Sequence, residues 1–243
     1  KKMKNKKRNF FGIRVRVGDS ENITIKAIKK LSEVDTVILP EAKIGEGSVA
    51  FDIVKEYVKE NVDKIFLEFP MLKDVEARKI FRKNNANIIN DELSKGKNVA
   101  FLTIGDPMTY STYTYVLEHI LEDVKVETIS GINSFNSIAA RLNIPLIIGD
   151  EDLKVISVNN KTDFYKEIDN NDNIVFMKIS RNFQKIKKAI LETGNKDNAV
   201  IVSDCGKENE KIYMDIEEIQ EIPYFSTLLL KKKGFSKWKR FIL

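Results

Sequence analysis

The stretch FLTIGDPMTYSTYTYVLEHI, residues 101–120, decides how the first half of the chain is interpreted. It opens with an apolar run that predicts a strand buried on both faces. The run stops at Gly105, exposes Asp106 and passes into a segment rich in tyrosine and threonine. Asp is a favoured N-cap and Pro a favoured first helical residue, so a helix is predicted to start near Pro107. Such a junction is either plain architecture or the floor of a binding site.

The segments on either side of this stretch alternate between strand and helix patterns. Strands are predicted near residues 10–17, 35–40, 64–69, 98–104 and 124–129. Their alternation with helical stripes predicts a parallel sheet with right-handed crossovers. Beyond Pro145 the pattern is richer in strands, with one clear helix at residues 181–192, and it predicts a mixed sheet. We therefore predict two α/β domains, at residues 1–129 and 130–243.

The composition limits the kinds of protein to which the chain can belong. The 243 residues are 42% hydrophobic, enough to bury a core, and the 41 basic and 36 acidic residues are interspersed and leave a net charge of +5. The basic run KKMKNKKR at the start is typical of a solvated tail, although a nucleic-acid-binding module that uses it is an alternative. The single cysteine fits a cytoplasmic protein. We expect no membrane span and, without Cys or His clusters, no metal site.

Three predicted strand ends combine a glycine with a polar residue at a helix start, where parallel α/β sheets bind ligands. They are GDSENIT at 18–24, GDPMTYSTY at 105–113 and SGINS at 130–134. Simple helix caps at Asn133 or Ser134 are the alternative, as is a core stripe through Tyr110 and Tyr113. The chain lacks the G-x-G-x-x-G and P-loop signatures, which disfavours NAD and ATP. Its single histidine, His119, makes a Ser-His-Asp set improbable.

Several of these segments together resemble the tetrapyrrole methylases, the S-adenosylmethionine-dependent enzymes of cobalamin and sirohaem synthesis. They are VAFLTIGDPMTYSTYTYVLE, SGINSFNSIAARLNIPLIIGDEDLKVIS, FPM at 69–71 and YFSTLLLKK. G-D-P-M-x-Y-S-T-Y and F-P-M are similar to the branch that methylates carbon 20 of precorrin-2 or its cobalt form. The resemblance implies two α/β domains with S-adenosylmethionine in the cleft between them, in a homodimer. Alternatives are another tetrapyrrole methylase, the diphthamide-forming branch, and a member that binds the cofactor without catalysis.

The resemblance also implies roles for individual residues. The positions expected to bind the cofactor are Val17, Ile104, Gly105, Asp106, Thr109, Asn133, Ser134, Met177, Cys205 and Thr227. The positions expected to face a tetrapyrrole, which carries several carboxylates, are Arg14, Arg16, Phe69, Met71 and Tyr113. Asp106 and Tyr110 are the candidates for removing the proton that the methyl group displaces. Taken alone, Met177 and Cys205 are more typical of an ordinary core.

The chain departs from the family at its first loop. The family pattern is G-x-G-x-G-P-G-D, whereas this chain has GIRVRVGD, with Arg14 and Arg16 in place of glycines and Val17 in place of proline. The two arginines share one face of the first strand, and a buried face would not tolerate two unpaired guanidinium groups. We expect them to meet solvent, acidic partners or substrate carboxylates. Alternatively they fill the space that glycines leave and exclude the usual substrate.

Overall fold

A computed structural model of the chain describes residues 8–15, 22–41, 49–70, 72 and 74–242. The protein divides into two units, Lys1–Ile132 and Asn133–Leu243. The boundary that we predict between residues 129 and 130 falls close to this division. Three predicted site residues, Arg16, Val17 and Met71, lie outside the described residues.

The first unit alternates strands and helices along the chain. Its elements are β1 (Asn9–Val15), α1 (Ile25–Leu31), β2 (Thr36–Glu41), α2 (Val49–Val54), β3 (Asp63–Glu68), α3 (Val75–Ser94), β4 (Val99–Ile104), α4 (Tyr113–Leu117) and β5 (Lys125–Ile129). The five strands form one sheet in the order β3-β2-β4-β1-β5, and every neighbouring pair is parallel. Parallel neighbours need a crossover connection, which the helices supply. The predicted parallel sheet is confirmed.

The sheet of the first unit is covered by helices on both faces. Phe11, Ile13 and Val15 of β1 pack with residues of α1 and α2 on one face. Phe10 packs with residues of α3 and α4 on the other face, because successive side chains of a strand point in opposite directions. Strands buried on both faces are nearly continuous apolar runs, which is why the sequence pattern locates them.

The helix after β4 starts later than the sequence predicts. A start near Pro107 is wrong, because α4 begins at Tyr113. Asp106 Oδ1 instead accepts hydrogen bonds from the main-chain N–H of Met108 at 2.9 Å and from the Thr109 hydroxyl at 3.3 Å. Tyr110 then adopts a φ of 53°, which is incompatible with a right-handed helix. Asp106 therefore closes a turn instead of capping a helix.

The second unit holds a mixed sheet. Its elements are α5 (Ser134–Leu142), β6 (Leu153–Ser157), α6 (Phe164–Asn170), β7 (Asn173–Met177), α7 (Phe183–Glu192), β8 (Ala199–Ser203), β9 (Lys211–Tyr213) and β10 (Ser226–Lys231). The strand order is β6-β7-β10-β8-β9. β6 and β7 are parallel, whereas the other neighbouring pairs are antiparallel. The predicted mixed sheet is confirmed.

Helix α6 has no counterpart among the elements predicted from sequence. The Asp163 side chain caps it by accepting a hydrogen bond from the main-chain N–H of Lys166 at 3.1 Å. Phe164 and Ile168 are its buried residues, and both join the hydrophobic cluster that includes α7 and β7. Two buried residues in a helix of seven give too weak a period to be recognised in the sequence.

In the described part of the chain, no helix combines the length and the apolar character needed to cross a membrane. The same residues contain no group of three or more His, Cys, Asp or Glu side chains that could hold a metal ion.

Candidate active site

The carboxyl ends of β1 and β4 lie side by side in the first sheet, where Val15 pairs with Ile104. The helix that follows β1 packs on one face of the sheet, and the helix that follows β4 packs on the opposite face. Parallel α/β sheets bind ligands at such a point, because the chain leaves neighbouring strands in opposite directions and opens a crevice. The junction at Gly105 therefore lies where this fold places a ligand.

Gly105 gives the loop after β4 an open main chain. Its φ is 95°, a conformation that other residues rarely adopt. A Cβ built on Gly105 would meet no described atom within 4 Å, so the main chain borders open space. Thr103 Oγ1 donates a hydrogen bond to the Gly105 carbonyl at 2.7 Å, which ties the loop to its strand. With Ile104 51% exposed, the loop presents main chain and apolar surface together.

Asp106 connects the ends of two strands. Its Oδ1 holds the turn at Met108 and Thr109 through the hydrogen bonds described above. Its Oδ2 accepts a hydrogen bond from the main-chain N–H of Gly131, which follows β5, at 3.3 Å. The structure thus brings Ile104, Gly105, Asp106 and Thr109 into one loop and fastens that loop to the β5 end.

Arg14 lies at the same edge of the sheet, where it pairs with Thr103. Only 4% of Arg14 is exposed, which rules out solvent among the three environments expected for it; acidic partners and substrate carboxylates stay predictions. A Cβ built on Gly131 would overlap Arg14 Cδ and lie 3.0 Å from Cγ and 3.1 Å from Cβ. Gly131 is not among the residues with positive φ, so its need for glycine is steric. The stem of Arg14 occupies the space that a side chain at residue 131 would take.

Tyr113 is fully buried, although it is expected from sequence to face the substrate. Its ring covers Gly12, where a built Cβ would lie 2.6 and 2.8 Å from two ring atoms. Its hydroxyl shares a hydrogen bond of 2.8 Å with Thr128 Oγ1. Burial raises the pKa of the Tyr113 phenol, and the hydrogen bond to Thr128 opposes that rise. Tyr113 belongs to the core, and we do not retain it among the substrate-facing residues.

Phe69 and Tyr110 keep accessible ring surface. Phe69 is half-buried and packs edge-on against Phe101, with ring centroids 5.9 Å apart. Tyr110 is 52% exposed in the loop after β4. The roles expected for these two residues, toward substrate and toward the displaced proton, stay predictions.

In the second unit, three residues expected to bind the cofactor share one end of the sheet. Met177 ends β7 and pairs with Thr227 near the start of β10. Thr227 also pairs with Val202, and β8 ends one residue later and leads to Cys205. Met177 and Cys205 pack against one hydrophobic cluster, while Thr227 is buried. The sheet register therefore groups these residues, which are far apart in sequence.

Asn133 and Ser134 lie at the start of α5 in the same unit. Asn133 occupies the N-cap position, yet its side chain makes no capping hydrogen bond within the described structure. Both residues are half-buried. Asn133 therefore does not cap α5 through its side chain, which was the alternative to a binding role.

Among the described residues, three strand-end loops contain a non-glycine residue with positive φ. Tyr110 follows β4 with a φ of 53°, Lys178 follows β7 with 58°, and Asp204 follows β8 with 49°. This conformation costs a non-glycine residue on the order of 1–2 kcal/mol, and such strain concentrates at functional sites. Lys178 and Asp204 are not among the candidate residues drawn from the sequence, because the sequence does not show which lysine or aspartate adopts this conformation.

A model of the family described as Tetrapyrrole (Corrin/Porphyrin) Methylases matches residues 12–220. The chain belongs to the tetrapyrrole methylase family. This match confirms the resemblance drawn from the segments around Gly105 and Gly131, and it spans both units of the structure.

Two tetrapyrrole methylase relatives align with nearly the whole chain. A protein of Methanocaldococcus jannaschii, named probable cobalt-precorrin-2 C(20)-methyltransferase, is 35% identical, with 93% of this chain and 96% of that protein covered. The cobalt-precorrin-2 C(20)-methyltransferase of Salmonella typhimurium is 30% identical, with 89% of this chain and 93% of that protein covered.

Solved structures of tetrapyrrole methylases share the fold. A cobalt precorrin-4 methyltransferase superimposes with a TM-score of 0.69 at 18% identity, over 92% of this chain and 94% of that one. The uroporphyrin-III C-methyl transferase of Thermus thermophilus, complexed with S-adenyl homocysteine, superimposes with a TM-score of 0.63 at 18% identity, over 93% and 97% of the two chains.

The strand-end residues suit the parts of S-adenosylmethionine, in which a sulfonium joins a charged amino acid to an adenosyl group whose adenine ring packs against apolar surface. Gly105 allows close approach of main chain, and Ile104 supplies exposed apolar surface. In the second unit, partly buried Met177 and Cys205 offer further apolar surface beside Thr227. These residues fit the cofactor that the family uses.

Proposed function

We propose that this chain transfers a methyl group from S-adenosylmethionine to carbon 20 of precorrin-2 or cobalt-precorrin-2. The observation that carries the proposal is the identity of 35% and 30% to two proteins named for this reaction, over about nine tenths of the chain. Both relatives are named for the cobalt form, which favours the cobalt-bearing substrate. The open main chain at Gly105, at the ligand-binding edge of the first sheet, is the structural support.

The proposed cofactor-binding residues are those that the family resemblance implies. In the first unit these are Ile104, Gly105, Asp106 and Thr109, which form one loop. In the second unit they are Asn133, Ser134, Met177, Cys205 and Thr227. When bound, the cofactor supplies a methyl group on a sulfonium, which leaves readily in an in-line displacement. The acceptor carbon of a reduced tetrapyrrole is already nucleophilic, so the protein mainly aligns the reactants and excludes water.

Asp106 and Tyr110 differ in how well they are placed to accept the proton that the methyl group displaces. The Asp106 carboxylate accepts hydrogen bonds from Met108, Thr109 and Gly131, all within the strand-end loops. We therefore assign Asp106 to the shape of the cofactor loop. Tyr110, whose ring is half-exposed in the same loop, is the remaining candidate for proton transfer.

Substrate recognition involves carboxylates, because the tetrapyrrole carries acetate and propionate groups. Guanidinium groups bind carboxylates through two parallel hydrogen bonds. Arg16 keeps this role in the proposal, and Met71 is retained as a substrate-facing residue; both lie outside the described residues. Phe69 contributes ring surface at the end of β3.

We also propose that the protein forms a homodimer. The support is that β3 and α3 expose several large apolar side chains, namely Phe66, Val75, Ile80, Phe81 and Ile88. Apolar surface that is contiguous and exposed commonly marks a protein interface. Sedimentation should give twice the chain mass, and Ile80→Asp should reduce the protein to monomers. We place the reaction in the cytoplasm, which the single cysteine favours.

The test combines binding and turnover. Calorimetry should show that S-adenosylmethionine and S-adenosylhomocysteine each bind. Incubation with precorrin-2 and with cobalt-precorrin-2, with the methyl carbon labelled, should place the label on carbon 20 of the product by NMR. Label on another carbon would assign a different tetrapyrrole methylase reaction. Cofactor binding without methyl transfer to either substrate would identify a member that has lost catalysis.

A further inference from the structure

Arg14 and Gly131 form a packed pair at the edge of the first sheet. Arg14 sits on β1 with its side chain on the face that also carries Gly12 and the ring of Tyr113. Its Cβ, Cγ and Cδ atoms border the space where a Cβ of residue 131 would lie, the first two at 3.1 and 3.0 Å. Cβ is fixed to the strand, so it cannot move aside as the far end of an arginine can. The position of Gly131 is thus set by the arginine stem.

Gly131 in turn holds the Asp106 carboxylate. Its N–H donates to Oδ2 at 3.3 Å, and the other oxygen of that carboxylate organises the turn through Met108 and Thr109. A continuous series of contacts therefore runs from the stem of Arg14 through Gly131 to the loop that carries Gly105 and Thr109. All of these residues lie in the first unit.

We propose that Arg14 is a positioning residue for the cofactor loop, acting through its aliphatic stem on Gly131 and through Gly131 on Asp106. This inference rests on the proposed function, because it assigns the loop to S-adenosylmethionine. It also gives a structural role to the arginine that stands where the family has a glycine. The arginine stem fills the volume beside Gly131 and fastens the ends of β1, β4 and β5 to one another.

The test separates the stem from the charge. Arg14→Met keeps carbon atoms at Cβ and Cγ and a sulfur at the position of Cδ, but it lacks the guanidinium. Arg14→Lys keeps the stem and a positive charge. Arg14→Ala removes every side-chain atom except Cβ. S-adenosylhomocysteine affinity should fall about tenfold in Arg14→Ala and stay within about threefold of the unchanged protein in the other two. Arg141→Ala, which removes a surface arginine paired with Glu210 in the second unit, is the control.

A readout independent of the cofactor is the amide resonance of Gly131. Because its N–H donates to Asp106, loss of the stem should shift this resonance and speed its hydrogen exchange in Arg14→Ala. Arg14→Met and Arg14→Lys should leave both unchanged. If the alanine variant does not fold, Arg14→Val, which loses Cδ but keeps Cβ and Cγ, gives the same comparison.

Gly131→Ala supplies the reciprocal test. In the unchanged protein the new Cβ overlaps Cδ and crowds Cγ of Arg14, and S-adenosylhomocysteine affinity should fall about tenfold; in Arg14→Ala only the 3.1 Å approach to Cβ remains, so the same change should cost less. If the fold-losses of affinity in Gly131→Ala and Arg14→Ala simply multiply in the double variant, the two residues act independently and the proposal is overturned. An unaltered Gly131 amide resonance in Arg14→Ala would also overturn it, as would equal losses of affinity in Arg14→Met and Arg14→Ala. A wild-type protein that fails to bind S-adenosylhomocysteine would instead refute the proposed function, while the amide resonance would still decide the role of Arg14.

Discussion

Replacing Tyr113 with phenylalanine should destabilise the first unit and leave its chemistry intact. The hydroxyl is fully buried and hydrogen-bonded to Thr128 Oγ1 at 2.8 Å. Its removal forfeits one neutral hydrogen bond, which contributes about 1 kcal/mol to the free energy of unfolding. The ring remains over Gly12 and beside Phe10 and Phe101, at centroid distances of 5.7 and 5.8 Å. No cavity forms, so the loss stays near the value of one hydrogen bond.

The matched variant is Thr128→Val, which removes the same hydrogen bond from the other side. The double variant should cost little more than either single change, because the bond can be lost only once. Urea unfolding gives the free energies, and hydrogen exchange of the β1 and β4 amides follows the first unit by itself. Tyr113→Ala is less informative, because a ring-sized cavity costs about 3–5 kcal/mol and threatens folding.

A substrate-binding role for Tyr113 makes the opposite prediction. The phenol would then contact the tetrapyrrole, and Tyr113→Phe would raise KM about tenfold, equivalent to about 1.4 kcal/mol, without a change in stability. That result would refute the core assignment. Unchanged KM and kcat beside a loss of about 1 kcal/mol in unfolding free energy supports it.

Three further changes test the strand-end loops and the second unit. Asp106→Asn replaces the oxygen that accepts from the Gly131 N–H with an amide group that cannot accept, so the loop should lose its shape and S-adenosylhomocysteine affinity measured by calorimetry should fall about tenfold; normal affinity would contradict the role of Asp106 in shaping the cofactor loop. Gly105→Ala should cost about 1–2 kcal/mol in thermal unfolding, because φ is 95° there; an unaltered melting temperature would contradict this strain. The hydrogen bond from Lys231 holds the pKa of Glu151 below its ordinary 4.5. Stability from this pair is therefore present above pH 4.5 and lost as pH falls through the folded-state pKa, so Glu151→Gln should flatten the acid limb of the stability curve, and an unchanged limb would count against the pair.

The periodic spacing of apolar residues predicts most of the fold, because burial in the core imposes that spacing. The β1 and β4 strands are buried on both faces, and their apolar runs are compatible with few structures other than a buried strand. Helix α6 escaped prediction because its seven residues bury only Phe164 and Ile168. Local propensity also misplaced the start of α4. Asp106 still accepts from the main-chain N–H of Met108, but Tyr110 at a φ of 53° prevents the turn from continuing as a helix, and the sequence does not mark that conformation.

The grouping of candidate residues follows from sheet register, which the sequence does not state. Met177 and Thr227 become neighbours through antiparallel pairing of β7 with β10. Family resemblance identifies both positions, yet spacing alone cannot place them together. The burial of Tyr113 likewise depends on Gly12 in a strand far away along the chain. A tyrosine at helical spacing is compatible with both a core and a substrate contact until that partner is known.

Gly12 and Gly131 show why the departure at Arg14 does not by itself indicate a disabled enzyme. Gly12 leaves room for the ring of Tyr113, and Gly131 leaves room for the stem of Arg14. In each case a glycine accepts a large side chain from another element, so the volume is shared between positions. An arginine in place of glycine at residue 14 is therefore accommodated by Gly131 within the same layer. Because Arg14 is buried there, Arg16→Gly by itself tests the carboxylate-binding role proposed for Arg16. Methyl transfer and substrate affinity should both fall in this variant, whereas a gain in activity would show instead that Arg16 excludes the usual substrate.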